Sequence, residues 1–266
     1  MTTSPAIRKV FRERNLFLLG LLGAAMLLTW GSAALTAFDP LEGLASFPKA
    51  LSWMVNNFVP DTRAWTNFPR ILAKLGETVV VSVMATVLAA VLSFVLALLG
   101  SQTTRFHRWF SPPVRLVASL SRNIPVVAWA MIFLLAFGQT FLTGLLALLI
   151  ETLGFLTRSF LEIIDETAAG PVEGLRSGGA NWGQVVSQAV IPSLLPALTS
   201  WVLFMLESNI RSATLVGLLT GTGIGFLFDL YYKSLNYPSA GLVTLAVVVV
   251  VLLLEGTSNA LRKVIL

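Results

Sequence analysis

The chain has 266 residues, of which 56% are hydrophobic and only 12% charged, with a net charge of +5 and a mean hydropathy of +0.82. A soluble domain carries about 25% charged residues, so this composition describes an all-α integral membrane protein; one crossing takes ~20 apolar residues, which leaves room for about five to seven. The lack of cysteine excludes disulfides, thiolate metal sites and cysteine nucleophiles, and the single histidine, His107, has no second histidine with which to hold a metal.

In chain order, residues 1–15 hold Arg8, Lys9, Arg12 and Arg14 against Glu13. The apolar run 16–38 that follows is longer than the ~7–15-residue core of a signal peptide. It predicts a retained first span with a cytoplasmic N-terminus. Residues 39–70 mix prolines, aspartates, Trp53 and Trp65; they predict a periplasmic loop with a short interfacial helix near 47–58, either a plain anchored loop or a gating element. A core at 74–255 then carries five further spans. The second span, 77–100, repeats small residues at Ser82, Ala85, Ala89, Ala90 and Ser93, which lets helices approach closely in lipid and predicts a place inside the bundle. Residues 101–116 hold Arg105, His107, Arg108 and Arg115 without an acid, the signature of a cytoplasmic loop. Such loops account for the net charge without a nucleic-acid partner.

The third span, 117–137, contains Arg122, Asn123 and Pro125. The proline predicts a kink. Arg122 sits at or just inside the membrane, and two readings stay open: it faces protein or water, or it snorkels to the headgroups. In the fourth span, 142–164, Arg158 follows Glu151 by seven residues and precedes Glu162 by four, so all three share a helix face. A lone charge at mid-membrane costs roughly 2.5–3.5 kcal/mol or more. The expectation is therefore a paired stripe facing the bundle, structural in preference to substrate-binding.

Residues 166–196 are too polar for hydrocarbon. Glu173 and Arg176 precede a Gly178–Gly179 break, and Trp182, Val185, Val186 and Ala189 follow at helical spacing. This predicts two short helices around a tight turn, a cytoplasmic elbow at 166–192, with Pro192 and Pro196 opening the fifth span at 194–210. Glu207 and Arg211 stand four apart there, beside Asn209, Ser212 and Thr214. Gly217, Gly221, Gly223 and Gly225, with Thr220 and Thr222, then interrupt the apolar run. Broken helix at membrane depth is tolerated only beside protein or a watery cavity, so Arg122, Asn123, Glu207, Asn209, Arg211, Ser212, Thr214, Thr220 and Thr222 form the candidate translocation path. Residues 226–239 predict a short outer segment. The sixth span, 240–254, leads to a cytoplasmic tail, 256–266, with Arg262 and Lys263.

The elbow resembles the EAA loop of ABC importer membrane subunits: Glu-Ala-Ala, three residues, Gly, nine residues, then Ile-x-Leu-Pro. Glu173, Gly174 and Leu175 take the first places, Gly179 the glycine, and Ala189, Val190, Ile191 and Pro192 the last four. Both alanines are replaced, and the Ile and Leu places hold Ala189 and Ile191. The segments 121–130, 170–180 and 206–217, in this order, are similar to membrane subunits of phosphonate-type ABC importers. The glycine-rich Gly-Ala-Gly-Gly-Ile-Gly of that family reads Thr-Gly-Thr-Gly-Ile-Gly at 220–225.

The resemblance implies a type I ABC importer permease fold of about six spans in the bacterial inner membrane, carrying a small phosphorus oxyanion such as phosphonate or phosphite. It implies a second permease copy, two cytoplasmic ATPases and a periplasmic binding protein as partners. The chain has no Gly-x-x-x-x-Gly-Lys-Ser/Thr loop, so ATP and Mg fall to the ATPase and no cofactor or catalytic residue is expected here. Glu173 would anchor the elbow, Gly179 permit its turn, and Arg176, Trp182 and Pro192 complete the coupling surface. Alternatives are a permease for another small solute, or an ion-coupled carrier or channel using Glu151, Arg158 and Glu207. An intramembrane metalloprotease lacks its His-Glu-x-x-His.

Overall fold

The computed structural model describes residues 5–36, 38–105 and 107–265; side chains at 5–10, 264 and 265, including the expected basic Arg8 and Lys9, lie outside the described residues. Among the described residues every regular element is helical. The chain divides into two units, Met1–Asn57 and Phe58–Leu266.

The first unit holds α1 (Pro5–Leu35) and α2, which begins at Pro40. The apolar stretch Phe11–Leu35 is long enough to cross a membrane, and none of it is buried. Asp39 opens α2 by accepting from the backbone N–H of Leu41 at 2.8 Å and of Glu42 at 3.3 Å. The expected loop with a helix at 47–58 is thus helical from Pro40 to Phe58. The capping aspartate starts it about two turns early, and Pro48 is accommodated within it.

The second unit begins with α3 (Thr62–Thr66) and α4 (Phe68–Gly100). At 33 residues, α4 is about 50 Å long. It starts nine residues before the expected span, because Pro69 in its first turn gives up no hydrogen bond there. Of its small-residue stripe, Ser82, Ala85, Ala89 and Ser93 are each 0% exposed and Ala90 is half-buried; Ala97 extends the buried line by a turn. The stripe admits α7 (Phe141–Thr167) at close range, and the Ser93 hydroxyl donates to the Leu153 carbonyl at 3.1 Å.

The expected third span is two helices, α5 (Ser111–Asn123) and α6 (Val126–Phe137), bent by 95° at Ile124–Pro125. This corrects the single kinked helix. Proline lacks the N–H that would continue α5, and both helices pack on α7. A Cβ on Gly154 would lie 2.6 Å from the Arg122 backbone nitrogen and 2.6 Å from the Ser121 Cβ. Gly154 is the central residue of α7, thirteen from each end. The break therefore packs against the middle of α7.

The last helices are α8 (Ala169–Ser177), α9 (Trp182–Val185), a π-helical turn at Val186–Val190, α10 (Ile191–Thr220), α11 (Gly223–Lys233) and α12 (Tyr237–Ile265). The fifth span is longer than expected: Trp182–Thr220 is one apolar, helical stretch. The sixth span likewise continues through Arg262 and Lys263 in its last turn, so the expected tail is part of α12. Among the described residues five stretches are long and apolar enough to cross a membrane, six with the bent α5–α6 pair.

At mid-height three helices share a buried amide. Asn209 on α10 is 1% exposed. Its Nδ2 donates to the hydroxyls of Thr86 on α4 and Thr152 on α7, both at 2.8 Å, and the Ser82 hydroxyl donates to the Asn209 main-chain carbonyl at 3.2 Å. Asn209 therefore ties helices together and borders no open space, contrary to its expected place on the path. Interhelical hydrogen bonds in membranes average about 0.6 kcal/mol and reach about 1.7. Asn209→Ala should lower stability by roughly 1–3 kcal/mol, read as a fall in the denaturation midpoint of the detergent-solubilised protein.

Candidate functional site

The elbow is built by two local signals. α8 stops in a Schellman turn: the Ala180 N–H donates to the Leu175 carbonyl and the Gly179 N–H to the Arg176 carbonyl, both at 3.0 Å. Gly179 holds φ +81° at the position where such turns require left-handed backbone. Two residues later Asn181 starts α9 with a reciprocal capping box. Its side chain accepts from the Gln184 N–H at 3.0 Å, and the Gln184 side chain accepts from the Asn181 N–H at 2.8 Å. The Asn-x-x-Gln spacing was present in the sequence and went unread as a helix start.

From α9 the backbone continues unbroken into α10. At the π turn the Ile191 N–H reaches back to the Val186 carbonyl. The wider turn lies just ahead of Pro192, which has no N–H to give. The elbow is thus continuous with the fifth span.

Its inner face is apolar and packed. Val172, Val185, Val186, Ala189, Val190 and Leu194 are buried against Leu161, Ile164 and Ala168 of α7 and its end, and Ala97 and Leu98 of α4. Its outer face is polar: Glu173, Arg176, Gly179, Asn181, Gln184, Ser187 and Gln188 are exposed. Glu173 and Arg176 form no ion pair among the described residues and line a shallow depression of about 470 Å³ with Gln102, Thr103 and Ser177. Pro192 is exposed at the start of α10. Trp182 packs at the edge of the apolar inner face. It is half-buried, and its indole N–H donates to the Thr104 carbonyl at 2.8 Å, so it holds the elbow to the 101–110 loop.

The remaining site residues fall into three groups. Arg122 and Asn123 are exposed at the α5–α6 break, where the Asn123 side chain donates to Ser119 at 3.3 Å. Glu207 and Arg211 pair at 2.8 Å, with Arg211 49% exposed and Glu207 14%; Ser212 and Thr214 are half-buried near them. The glycine-rich segment, by contrast, is a packing joint. Only Gly221, at φ +68°, ends a helix. Gly217 and Gly225 bring α10 and α11 into backbone contact. Thr220 is fully buried and spends its hydroxyl on the Val216 carbonyl and on the half-buried Thr222.

The charged stripe on α7 also differs. Arg158 pairs with Glu162 at 2.5 Å with 40% and 48% of the side chains exposed, while Glu151 has no ion-pair partner among the described residues. Seven residues span about 10.5 Å along a helix, too far for one guanidinium to serve both acids. The pair faces outward from this chain and not into its bundle.

Residues 91–265, from mid-α4 through the elbow to the end of α12, match the model of the binding-protein-dependent transport system inner membrane component family. The chain belongs to that family. A member is a non-catalytic, multi-pass subunit of an inner-membrane ABC importer. The permease is 28% identical over 241 residues to the phosphite transport system permease protein PtxC of Stutzerimonas stutzeri, covering 91% of this chain and 86% of that one. It is 30% identical over 187 residues to the phosphate-import permease protein PhnE of Mycolicibacterium smegmatis; that match covers 70% of this chain but 35% of the relative. Among solved structures, the methionine ABC transporter MetNI in an inward-facing conformation superposes with a TM-score of 0.63 at 17% identity, over 78% of this chain and 100% of that one. The fold is that of type I ABC importer permeases, as the resemblance implied.

Proposed function

We propose that the chain is the membrane-spanning subunit of an ATP-driven importer of a small phosphorus oxyanion, phosphonate or phosphite in class. The observation that carries the reading is the elbow: a polar face with two uncommitted charges, Glu173 and Arg176, on helices rigidly continuous with a membrane span. On this reading the elbow lies in the cytoplasm and docks on an ATPase that supplies ATP and Mg. Two permease copies and two ATPases make the complex, and a periplasmic binding protein delivers the anion. ATPase closure moves the elbow, and a bistable assembly carries the motion to the path. The names of the relatives support the substrate class.

The path is drawn through Arg122 and Arg211, with Asn123, Glu207, Ser212, Thr214 and Thr222 beside them; Asn209 and Thr220 are left out because they are buried. The deciding experiment is uptake of labelled phosphite or methylphosphonate into proteoliposomes holding the complex, with binding protein outside and ATP inside. Uptake that needs ATP and ignores an uncoupler supports the reading; uptake that an uncoupler alone abolishes refutes it in favour of an ion-coupled carrier.

Arg122 gives a sharper test. On this reading Arg122 lies within the membrane, where a cation without an ion pair is costly, so a structural role and a transport role predict opposite stabilities. Arg122→Gln should lower uptake at least ~10-fold, equal to about 1.4 kcal/mol, and leave the denaturation midpoint unchanged or raised. Full uptake, or a lowered midpoint, would remove Arg122 from the path.

A further inference from the structure

Asp165, in the last turn of α7, gathers ligands from two other elements. Its Oδ1 accepts from the Ser101 hydroxyl at 2.5 Å, from the Thr103 N–H at 3.2 Å and from the Thr103 hydroxyl at 3.3 Å. Its Oδ2 accepts from Arg115 of α5 at 3.0 Å. Arg115 is held in turn by its Nε donating to the Ser111 hydroxyl at 3.2 Å. The segment that Asp165 grips is the same one that receives the elbow: Trp182 donates to the Thr104 carbonyl, and the Thr104 hydroxyl, fully buried, donates to the Leu98 carbonyl at 2.8 Å.

These bonds form one connected strap. It runs from α9 through Trp182 to Thr104, through Ser101 and Thr103 to Asp165, and through Arg115 into α5. α5 packs chiefly on α7 and α4. Its other end is pinned against Gly154, where the backbone turns by 95° and Arg122 is exposed. A stiff 13-residue helix held at both ends transmits displacement.

The elbow then has three outputs. Two are covalent: back through Ala168 into α7, and along the π turn into α10 and the Glu207–Arg211 pair. The third is the strap, through Asp165 and Arg115 into the α5–α6 break. We propose that Asp165 is a positioning residue for coupling: it makes the broken span follow the elbow, so that the two halves of the path, Arg211 on α10 and Arg122 at the break, move together. This rests on the importer reading above.

The test uses the full complex with its ATPase and binding protein. The chain has no cysteine, so single cysteines introduced at Leu120 on α5 and Leu215 on α10, 55% and 56% exposed, can carry spin labels. The distance between the labels of the two permease copies is measured with and without ATP. In Asp165→Asn, and separately in Arg115→Gln, the α10 distance should change on ATP as in the unaltered complex. The change at α5 should fall by more than half. Uptake should drop ~10-fold while basal ATP hydrolysis stays within about twofold. Arg115→Gln cuts only the α5 end and keeps the result readable if Asp165→Asn fails to assemble. The proposal is overturned by an unchanged α5 response in either variant, or by loss of both responses together, which a merely structural role would give. If the unaltered complex shows no ATP-dependent change at either label, the importer reading itself falls.

Discussion

Gly179→Pro is expected to lower ATP-driven uptake at least ~100-fold, equal to about 2.7 kcal/mol, in a protein that still inserts and whose spans denature normally. Proline fixes φ near −65°, whereas Gly179 sits at +81° and gives its N–H to the Arg176 carbonyl at 3.0 Å. The substitution removes both the conformation and one of the two bonds that close the Schellman turn. The damage stays local because Gly179 is exposed and nothing lies within 4 Å of the Cβ position. What is lost is the fixed angle between α8 and α9, and with it the surface carrying Glu173 and Arg176. Gly179→Ala tests the backbone alone: left-handed alanine costs roughly 1–2 kcal/mol, so the loss should be no more than about 10–30-fold. Gly174→Ala is the control. That glycine is inside α8 with open space around it, alanine favours the helix by about 1 kcal/mol, and uptake should stay within twofold. Uptake into proteoliposomes and co-purification of the ATPase measure the series. Full uptake by Gly179→Pro would refute the coupling role of the elbow.

Much of this turn was legible because its determinants are local. Gly178–Gly179 marked the stop, and the spacing of Val185, Val186 and Ala189 marked the buried face. The capping pair Asn181 and Gln184 was equally local and could have been read from Asn-x-x-Gln. The small-residue stripe of α4 was legible for the same reason: side-chain size at helical spacing dictates which face can approach a neighbour. What sequence spacing does not carry is the partner. Asp165 and Arg115 are fifty residues apart, and nothing in either segment names the other.

The polar residues of the spans show the same limit in another form. A hydroxyl or amide in hydrocarbon must be satisfied, but pattern does not say whether by a path or by a neighbouring helix. Asn209 found Thr86 and Thr152, and Thr220 found its own preceding turn. Arg122 found no ion-pair partner among the described residues. Proline at 125 announced a disturbance, but local pattern carries neither its 95° size nor the close approach of Gly154 on α7 to Ser121 and Arg122 beside it. The glycines at 217–225 read as weakness in a helix, and two of them are instead the contact surface of two helices. Composition marks a glycine as permissive without saying whether the freedom is used for bending or for proximity.

Gly225 shows how strictly that proximity is used, and Gly225→Ala is expected to be the most damaging single methyl in the bundle of α4, α10 and α11. A Cβ there would lie 2.0 Å from the Thr214 carbonyl oxygen and 2.8 Å from the Leu218 nitrogen, both main-chain atoms of α10 that cannot rotate away. α11 would have to withdraw by more than 1 Å to restore ordinary contact. Its first turn cannot follow freely, because the Ile224 N–H donates to the Thr78 hydroxyl at 2.8 Å and the Gly223 N–H to the Glu77 carboxylate at 3.3 Å. Overpacking against yielding side chains costs about 1–3 kcal/mol; against unyielding backbone, with two capping bonds lost as well, the expected cost is at least about 3–4 kcal/mol. That is enough to deplete folded protein in the membrane fraction and to lower the denaturation midpoint more than Asn209→Ala does. Thr78→Val separates the two contributions: it removes the cap of Ile224 while leaving the crossing intact, and should cost only about 1 kcal/mol. A Gly225→Ala protein as stable as the parent would mean that α10 and α11 do not touch at this residue, and the joint between these two helices would have to be placed elsewhere.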